Sequence, residues 1–190
     1  MLKIALFASG NGSNAERIVR YFSDNKLDIS FIIVSNRSNA FVLERAKSLG
    51  VPSYFFGKES FENGEVLKML KENGIDGIVL AGFLLKVPDN ILKAYPWRIV
   101  NIHPALLPKF GGKGMYGSRV HEAVIAAGEK KSGITIHYVN ENYDEGQIIF
   151  QADCPVSPDD TADTLAAKVH ELEYLHYPSV LESLFGGATN

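Results

Sequence analysis

Two side chains able to stabilise an oxyanion and move a proton stand two residues apart in the run Ile99-Val100-Asn101-Ile102-His103-Pro104-Ala105-Leu106-Leu107-Pro108. The apolar lead-in reads as the end of a buried strand, and side chains at i and i+2 of a strand share one face. Pro104 ends the ladder, because proline has no N–H to donate and pushes the preceding residue toward extended geometry. An amide donor beside an imidazole suits stabilising an oxyanion and moving a proton. The same pair would also serve as a capping asparagine and a surface histidine, so the elements around it have to decide.

Those elements alternate. Residues 2–8 form a short apolar run of the kind a buried parallel strand shows. It ends in Ser9-Gly10-Asn11-Gly12-Ser13-Asn14, after which Ala15, Ile18, Val19 and Phe22 fall on one helical face. Strand, glycine turn and helix N-terminus make an anion-binding arrangement, since free N–H groups and the positive end of the helix dipole point at one spot. Ser13 and Asn14 add side-chain donors and are also good N-caps; a plain capped turn would look the same. Further strands are predicted at 29–34, 51–56 and 77–83, with helices at 40–49 (closed by Gly50), 59–72 and 91–94. A glycine-rich loop at 109–118 precedes a helix at 119–127. Strands at 134–139 and 147–151, joined by a polar turn holding Glu141, Asp144 and Glu145, read as a hairpin or meander. A long helix at 163–184 carries Pro178 as a kink or break, and 186–190 reads as a frayed tail. The alternation argues for parallel βαβ units with right-handed crossovers, in which ligands sit at the C-terminal strand ends. Gly10 and Gly12, Gly82 and Phe83, and Asn101 and His103 all lie at such ends. The expectation is one α/β domain over 1–190, with a mostly parallel twisted sheet flanked by helices and antiparallel strands in the C-terminal half.

Composition narrows the chemistry. The 190 residues carry a formal charge of -3, which argues against a polyanion-binding surface, and a single cysteine, which excludes an internal disulfide framework. No apolar stretch approaches the roughly 20 residues that span a bilayer, and no basic leader precedes the first apolar run, so a cytoplasmic protein is expected. Gly10-Asn11-Gly12-Ser13-Asn14-Ala15 fits the dinucleotide fingerprint G-x-G-x-x-A. That reading wants an acid after the second strand to hold a ribose; Ser35, Asn36 and Arg37 stand there, and only Arg37 would suit a 2′-phosphate. The Ser-Asn pair fits a terminal phosphate monoester better than a pyrophosphate. His121, His137, His170 and His176 are scattered, without zinc-ligand spacing. Cys154 has no partner in sequence, and no G-x-S-x-G elbow is present. An amide, a histidine and a candidate carboxylate remain, a set suited to direct transfer through a tetrahedral intermediate.

The run from Asn101 to Pro108 closely resembles the signature of the folate-dependent formyltransferases. Gly12-Ser13-Asn14, Ser35-Asn36-Arg37 with Ala40-Phe41 and Leu43-Glu44-Arg45-Ala46, Leu80-Ala81-Gly82-Phe83, Thr135-Ile136-His137-Tyr138-Val139 and Asp144 follow in the family's order, from about residue 2 to residue 184. They are most similar to the members whose acceptor is the amine of glycinamide ribonucleotide, in purine biosynthesis. The resemblance implies a Rossmann-like formyltransferase fold and 10-formyltetrahydrofolate as co-substrate, without a metal. It implies those two small molecules as partners, no nucleic acid, no membrane, and a monomer or homodimer. Asn101, His103 and Asp144 match the catalytic trio, with Asp144 holding His103 protonated. Gly12, Ser13 and Asn14 match the phosphate-binding turn. His170, Glu171, Leu172 and Glu173 match a substrate-contacting segment, with Glu173 the clearest. Leu84, Leu85, Lys86 and Val87 match the segment that binds the pterin largely through backbone groups, though plain core packing is the usual fate of such residues. Asn101, Asn140 and Glu141 belong to the folate side as well.

The chain departs from the family in places. Leu84-Leu85 stand where Met-Arg is common, Ala105 replaces a common Ser, Glu145 takes a position often held by Gly, and the 110–118 loop exceeds that of the shortest relatives. Three rivals remain at this point. Methionyl-tRNA formyltransferase would carry an added RNA-binding domain, and a formyltetrahydrofolate deformylase an added regulatory one. A nucleotide-binding module would bind without turnover.

Overall fold

A computed structural model of the chain describes residues 1–186. Its apolar runs become strands β1 (Leu2–Phe7), β2 (Ile29–Ser35), β3 (Ser53–Phe55), β4 (Gly77–Leu80), β5 (Ile99–His103), β6 (Lys131–Tyr138) and β7 (Ile148–Pro155). The helices are α1 (Ser13–Asp24), α2 (Val42–Leu49), α3 (Lys58–Glu62), α4 (Glu65–Glu72), α5 (Asp89–Ala94), α6 (Ser118–Ala126) and α7 (Ala162–Leu181). The strand order is β3-β2-β1-β4-β5-β6-β7, a mixed α/β sheet of the expected class. The chain divides into two compact units, Met1–Val100 with the segment from Pro178 onward, and Asn101–Tyr177.

In the first unit β1 to β4 pair in parallel. β1 runs beside β2 from Leu2↔Ile29 to Phe7↔Val34, and beside β4 from Ile4↔Gly77 to Phe7↔Leu80, while β2 pairs with β3. Strands covered on both faces read as continuous apolar runs, and residues 4–8 of β1 and its end are almost wholly buried. The helical stripe read from the sequence is the buried face of α1: Ala15, Ile18, Val19 and Phe22. The helix predicted at 59–72 is two. Asn63-Gly64 breaks it, with Gly64 at φ 94° and the Asn63 side chain accepting the Glu65 N–H at 3.0 Å. The break was legible as the same Asn-Gly signal that ends α4 at Asn73-Gly74.

In the second unit β6 and β7 pair antiparallel from Lys131↔Pro155 to His137↔Ile148, with an irregularity between Ile136 and His137. The hairpin is longer than predicted at its far end. A Cβ on Gly133 would lie 2.0 Å from the Ala152 carbonyl oxygen, so this glycine marks close backbone approach within the ladder and not a turn. Pro178 lies inside α7, which continues to Leu181 before widening into a π-helical turn, Glu182–Gly186. In the first unit the Tyr21 hydroxyl donates to the Glu182 carboxylate at 2.6 Å and holds that turn. The expected tail begins at Gly186; its remaining residues, 187–190, lie outside the described residues.

Candidate active site

The glycine turn after β1 is held from behind. Gly12 has φ 76°, and a Cβ there would lie 2.3 Å from a Val42 methyl carbon and 2.9 Å from the Val42 Cα, so only glycine fits. Gly12 is itself the N-cap of α1, and Ser13 and Asn14 are its first helical residues instead of caps. The helix offers no internal acceptor for the N–H groups of its first turn, so backbone donors and two polar side chains share that end. Arg45 of α2 clamps the turn: its guanidinium donates to the Asn11 carbonyl at 2.8 Å and to the Asn11 side-chain oxygen at 2.8 Å. The same group pairs with Glu16 and stacks over the Phe41 ring at 5.0 Å. Arg20 and Arg45 overcome the effect of burial and hold the Glu16 carboxyl below its usual range. The Val42 N–H donates to the Gly10 carbonyl at 3.1 Å.

The segment after β4 is anchored by Phe83, whose ring packs against Phe7 and Phe61 with centroids 5.2 and 5.3 Å away. Beyond it Leu84 is 42% exposed and Val87 is buried. Main chain flanked by apolar side chains, one of them solvent-facing, suits a flat heteroaromatic ring. Lys86 is exposed.

In the second unit, β5 delivers its last three residues to a cluster of titratable groups. His103 is 3% exposed. Its Nε2–H donates to the Phe110 carbonyl at 2.7 Å, while Nδ1 lies 3.5 Å from Asp144 Oδ2. Asp144 also accepts the Gly112 N–H at 2.9 Å and has its other oxygen 3.6 Å from His137 Nε2. A Cβ on Gly111 would come within 2.5 Å of Leu107 and 3.3 Å of Asp144, so the loop glycine permits that approach. Phe110 and Asp144 both hold left-handed φ values, 56° and 57°. Such conformations persist where the surroundings over-determine them, and they gather at functional sites. Asp144 lines a cavity of about 350 Å³ with Leu107, Gly111, Gly112, Tyr143 and Glu145 among its walls.

The family resemblance paired Asp144 with His103 across a long separation, and the structure brings them within 3.5 Å. The charge state expected for His103 needs correction. Burial lowers its pKa, and the Asp144 charge and the Phe110 carbonyl recover only part of that drop. Removing an imidazolium from water costs more than one carboxylate 3.5 Å away returns. Burial by itself would raise Asp144, but His137, His103 and the Gly112 N–H together hold its carboxyl below the usual range.

Sequence reasoning missed two members of this cluster. His137 Nδ1–H donates to the Tyr138 carbonyl at 2.8 Å, which leaves Nε2 to accept from the Asn101 amide at 3.1 Å. One amide hydrogen of Asn101 is thereby committed and the other directed away from His137. Thr135, fully buried, donates to the Ala105 carbonyl at 2.7 Å and accepts the Leu107 N–H at 3.0 Å and the Gln151 amide at 2.8 Å. It pins the chain just past His103. Alternation along β6 was the available signal, since Thr135 and His137 share a face.

On α7, His170 and Glu173 are joined at 2.9 Å, with Glu173 5% exposed; that bond, against the effect of burial, raises the His170 pKa. Glu171 is exposed and Leu172 half-buried, so the segment does not act as a block: residues two apart on a helix diverge by about 200°. His121 is 4% exposed, its Nδ1 has no hydrogen-bond partner, and burial with the nearby His170 and His103 lowers its pKa against the pull of Glu173. Asn140 folds its side chain onto the Asn142 N–H at 3.0 Å, and Glu141 is exposed. Among the described residues no group of three or more His, Cys, Asp or Glu side chains is arranged to hold a metal ion, and no helix is long and apolar enough to cross a membrane.

Comparison with known proteins places the chain. It is 39% identical to the phosphoribosylglycinamide formyltransferase of Bacillus subtilis (strain 168) over 98% of its own length and 96% of the relative's. It is 40% identical to the chloroplastic enzyme of that name from Arabidopsis thaliana over 96% of its length, and spans 65% of that longer protein. Crystal structures of phosphoribosylglycinamide formyltransferases superpose on it. The one from Bacillus Halodurans has TM-score 0.89 and 37% identity, over 99% of this chain and 97% of that one. The one from Streptococcus pneumoniae TIGR4 has TM-score 0.85 and 43% identity, over 97% and 99%. The family model described as Formyl transferase matches residues 2–181, and the chain belongs to the formyl transferase family.

Proposed function

We propose that this chain transfers the formyl group of 10-formyltetrahydrofolate to the amine of glycinamide ribonucleotide. The observation that carries the chemistry is the set of Asn101, Asp144 and the buried His103 and His137, in which an oriented amide donor stands beside a carboxylate-backed imidazole. The relatives' shared name supplies the acceptor. The acceptor amine attacks the formyl carbon directly; a C–N bond forms, the bond from that carbon to the folate N10 breaks, and one proton passes from the amine to N10. The uncommitted Asn101 N–H donates to the oxyanion as it develops, and preorganised donors of this kind contribute most where charge appears. His137 is the positioning residue that aims the amide. His103 rests mainly neutral, because burial dominates its pKa; negative charge building beside the ring adds to that of Asp144 and favours taking a proton at that moment. Asp144 thus limits how far burial depresses the imidazole.

The Gly12–Asn14 end of α1 holds the acceptor's phosphate, the 84–87 segment takes the pterin, and Glu173 contacts the acceptor. The test is formyl release from 10-formyltetrahydrofolate with glycinamide ribonucleotide present and absent. Turnover is expected only with the acceptor. Equal release without it would make the chain a deformylase, and turnover with methionyl-tRNA in its place would reassign the acceptor.

A further inference from the structure

The two substrate-binding segments of the first unit are joined by one buried hydroxyl, that of Ser9. Ser9 is 1% exposed and lies at the end of β1, directly before the glycine turn. Its Oγ accepts the Leu84 N–H at 2.8 Å and donates to the Asn36 side-chain oxygen at 2.5 Å. Its own N–H donates to the Gly82 carbonyl at 3.0 Å, where Gly82, at φ 77°, turns the chain back. A hydroxyl has one hydrogen and two lone pairs. With the hydrogen fixed on Asn36, a lone pair faces the Leu84 N–H.

On the formyl-transfer reading, we infer that Ser9 is a positioning residue that sets the folate-binding segment 84–87 and couples it to the acceptor's phosphate turn. The grip covers both ends of the 82–84 bend. Gly10, the next residue, accepts the Val42 N–H behind the turn, so a shift of the turn carries Ser9, and with it Leu84. Asn36 is the third member, and it sets the hydroxyl's rotation. A merely satisfied buried serine would affect stability and leave both substrates' binding alone.

The test uses the full chain with Ser9→Ala and Asn36→Ala. Titration calorimetry with a folate analogue that carries no transferable formyl group is run with and without glycinamide ribonucleotide. Ser9→Ala is expected to weaken the analogue, and to raise the folate KM, by about tenfold, the size of one lost buried hydrogen bond. The kcat at saturation should stay within about twofold, because the loss is in ground-state binding. Any effect of acceptor on analogue affinity in the unmodified protein should vanish in the variant. Asn36→Ala, at a half-buried site, should shift folate binding the same way by about threefold through loss of the hydroxyl's fixed orientation. A lowered melting temperature with unchanged folate affinity in both variants would overturn the inference. If the unmodified protein neither binds the analogue nor transfers formyl, the functional reading fails instead, so the two failures are distinct.

Discussion

The glycine turn and the histidine cluster solve different problems. The turn is contiguous in sequence, built largely from backbone, and stiffened by one guanidinium and one close-packed valine. The cluster is assembled from side chains of β5, β6 and the hairpin turn, with Asn101 and His137 36 positions apart, and its members are mostly buried. Backbone dipoles attract an anion without any group changing its charge. Buried imidazoles and carboxylates gain their properties from desolvation and from one another. The turn should therefore respond to substitution as a binding element, and the cluster as a charge-tuned one.

The sharpest break between them should come from Asn101→Ala and His103→Ala. Each is expected to lower kcat by about 10²–10³-fold, with both KM values little changed, since these groups act on the transition state. Steady-state kinetics decides this, and near-normal kcat in either variant would leave that residue a structural role within the cluster. Asp144→Asn comes next. It keeps the side chain's shape and removes the charge that offsets burial, so the His103 midpoint should fall further, and kcat at neutral pH should drop about 10–100-fold. An NMR titration of His103 in both proteins measures the shift; an unchanged midpoint would remove Asp144 from the catalytic set. Glu141→Gln, exposed in the same turn, is the control and should do far less.

On the other side of the comparison, Ser13→Ala combined with Asn14→Ala should raise the acceptor KM about tenfold while kcat and the folate KM hold. An equal loss for folate would mean that the turn is not a site for the acceptor's phosphate alone. The smallest effect is in stability. The folded pKa values of His103 and His121 are lowered, so below about pH 6.5 the unfolded chain binds more protons, and stability should fall as pH drops toward the folded values. His170 has the opposite sign, its contribution being present at low pH and lost as pH rises through its folded pKa, but it is half exposed and counts for less. Urea midpoints at pH 5.5 and 7.5 should differ, and the difference should shrink in His121→Gln.

Features that rest on short-range geometry were legible in the chain before folding. The α1 stripe, the strand–glycine–helix turn, the Gly50 cap at φ 67° and the antiparallel hairpin all follow from periodicities and left-handed positions within a few residues. The pairing of Asp144 with His103 was legible only through family resemblance, because nothing local in an acidic turn points at a histidine in another strand. Tertiary structure alone decided the charge balance of His103, the orientation of Asn101 by His137, and the junction at Ser9. Each depends on how much water is excluded and which atom faces which. Burial and side-chain direction across paired strands are properties of the assembled sheet, and no single stretch of sequence contains them.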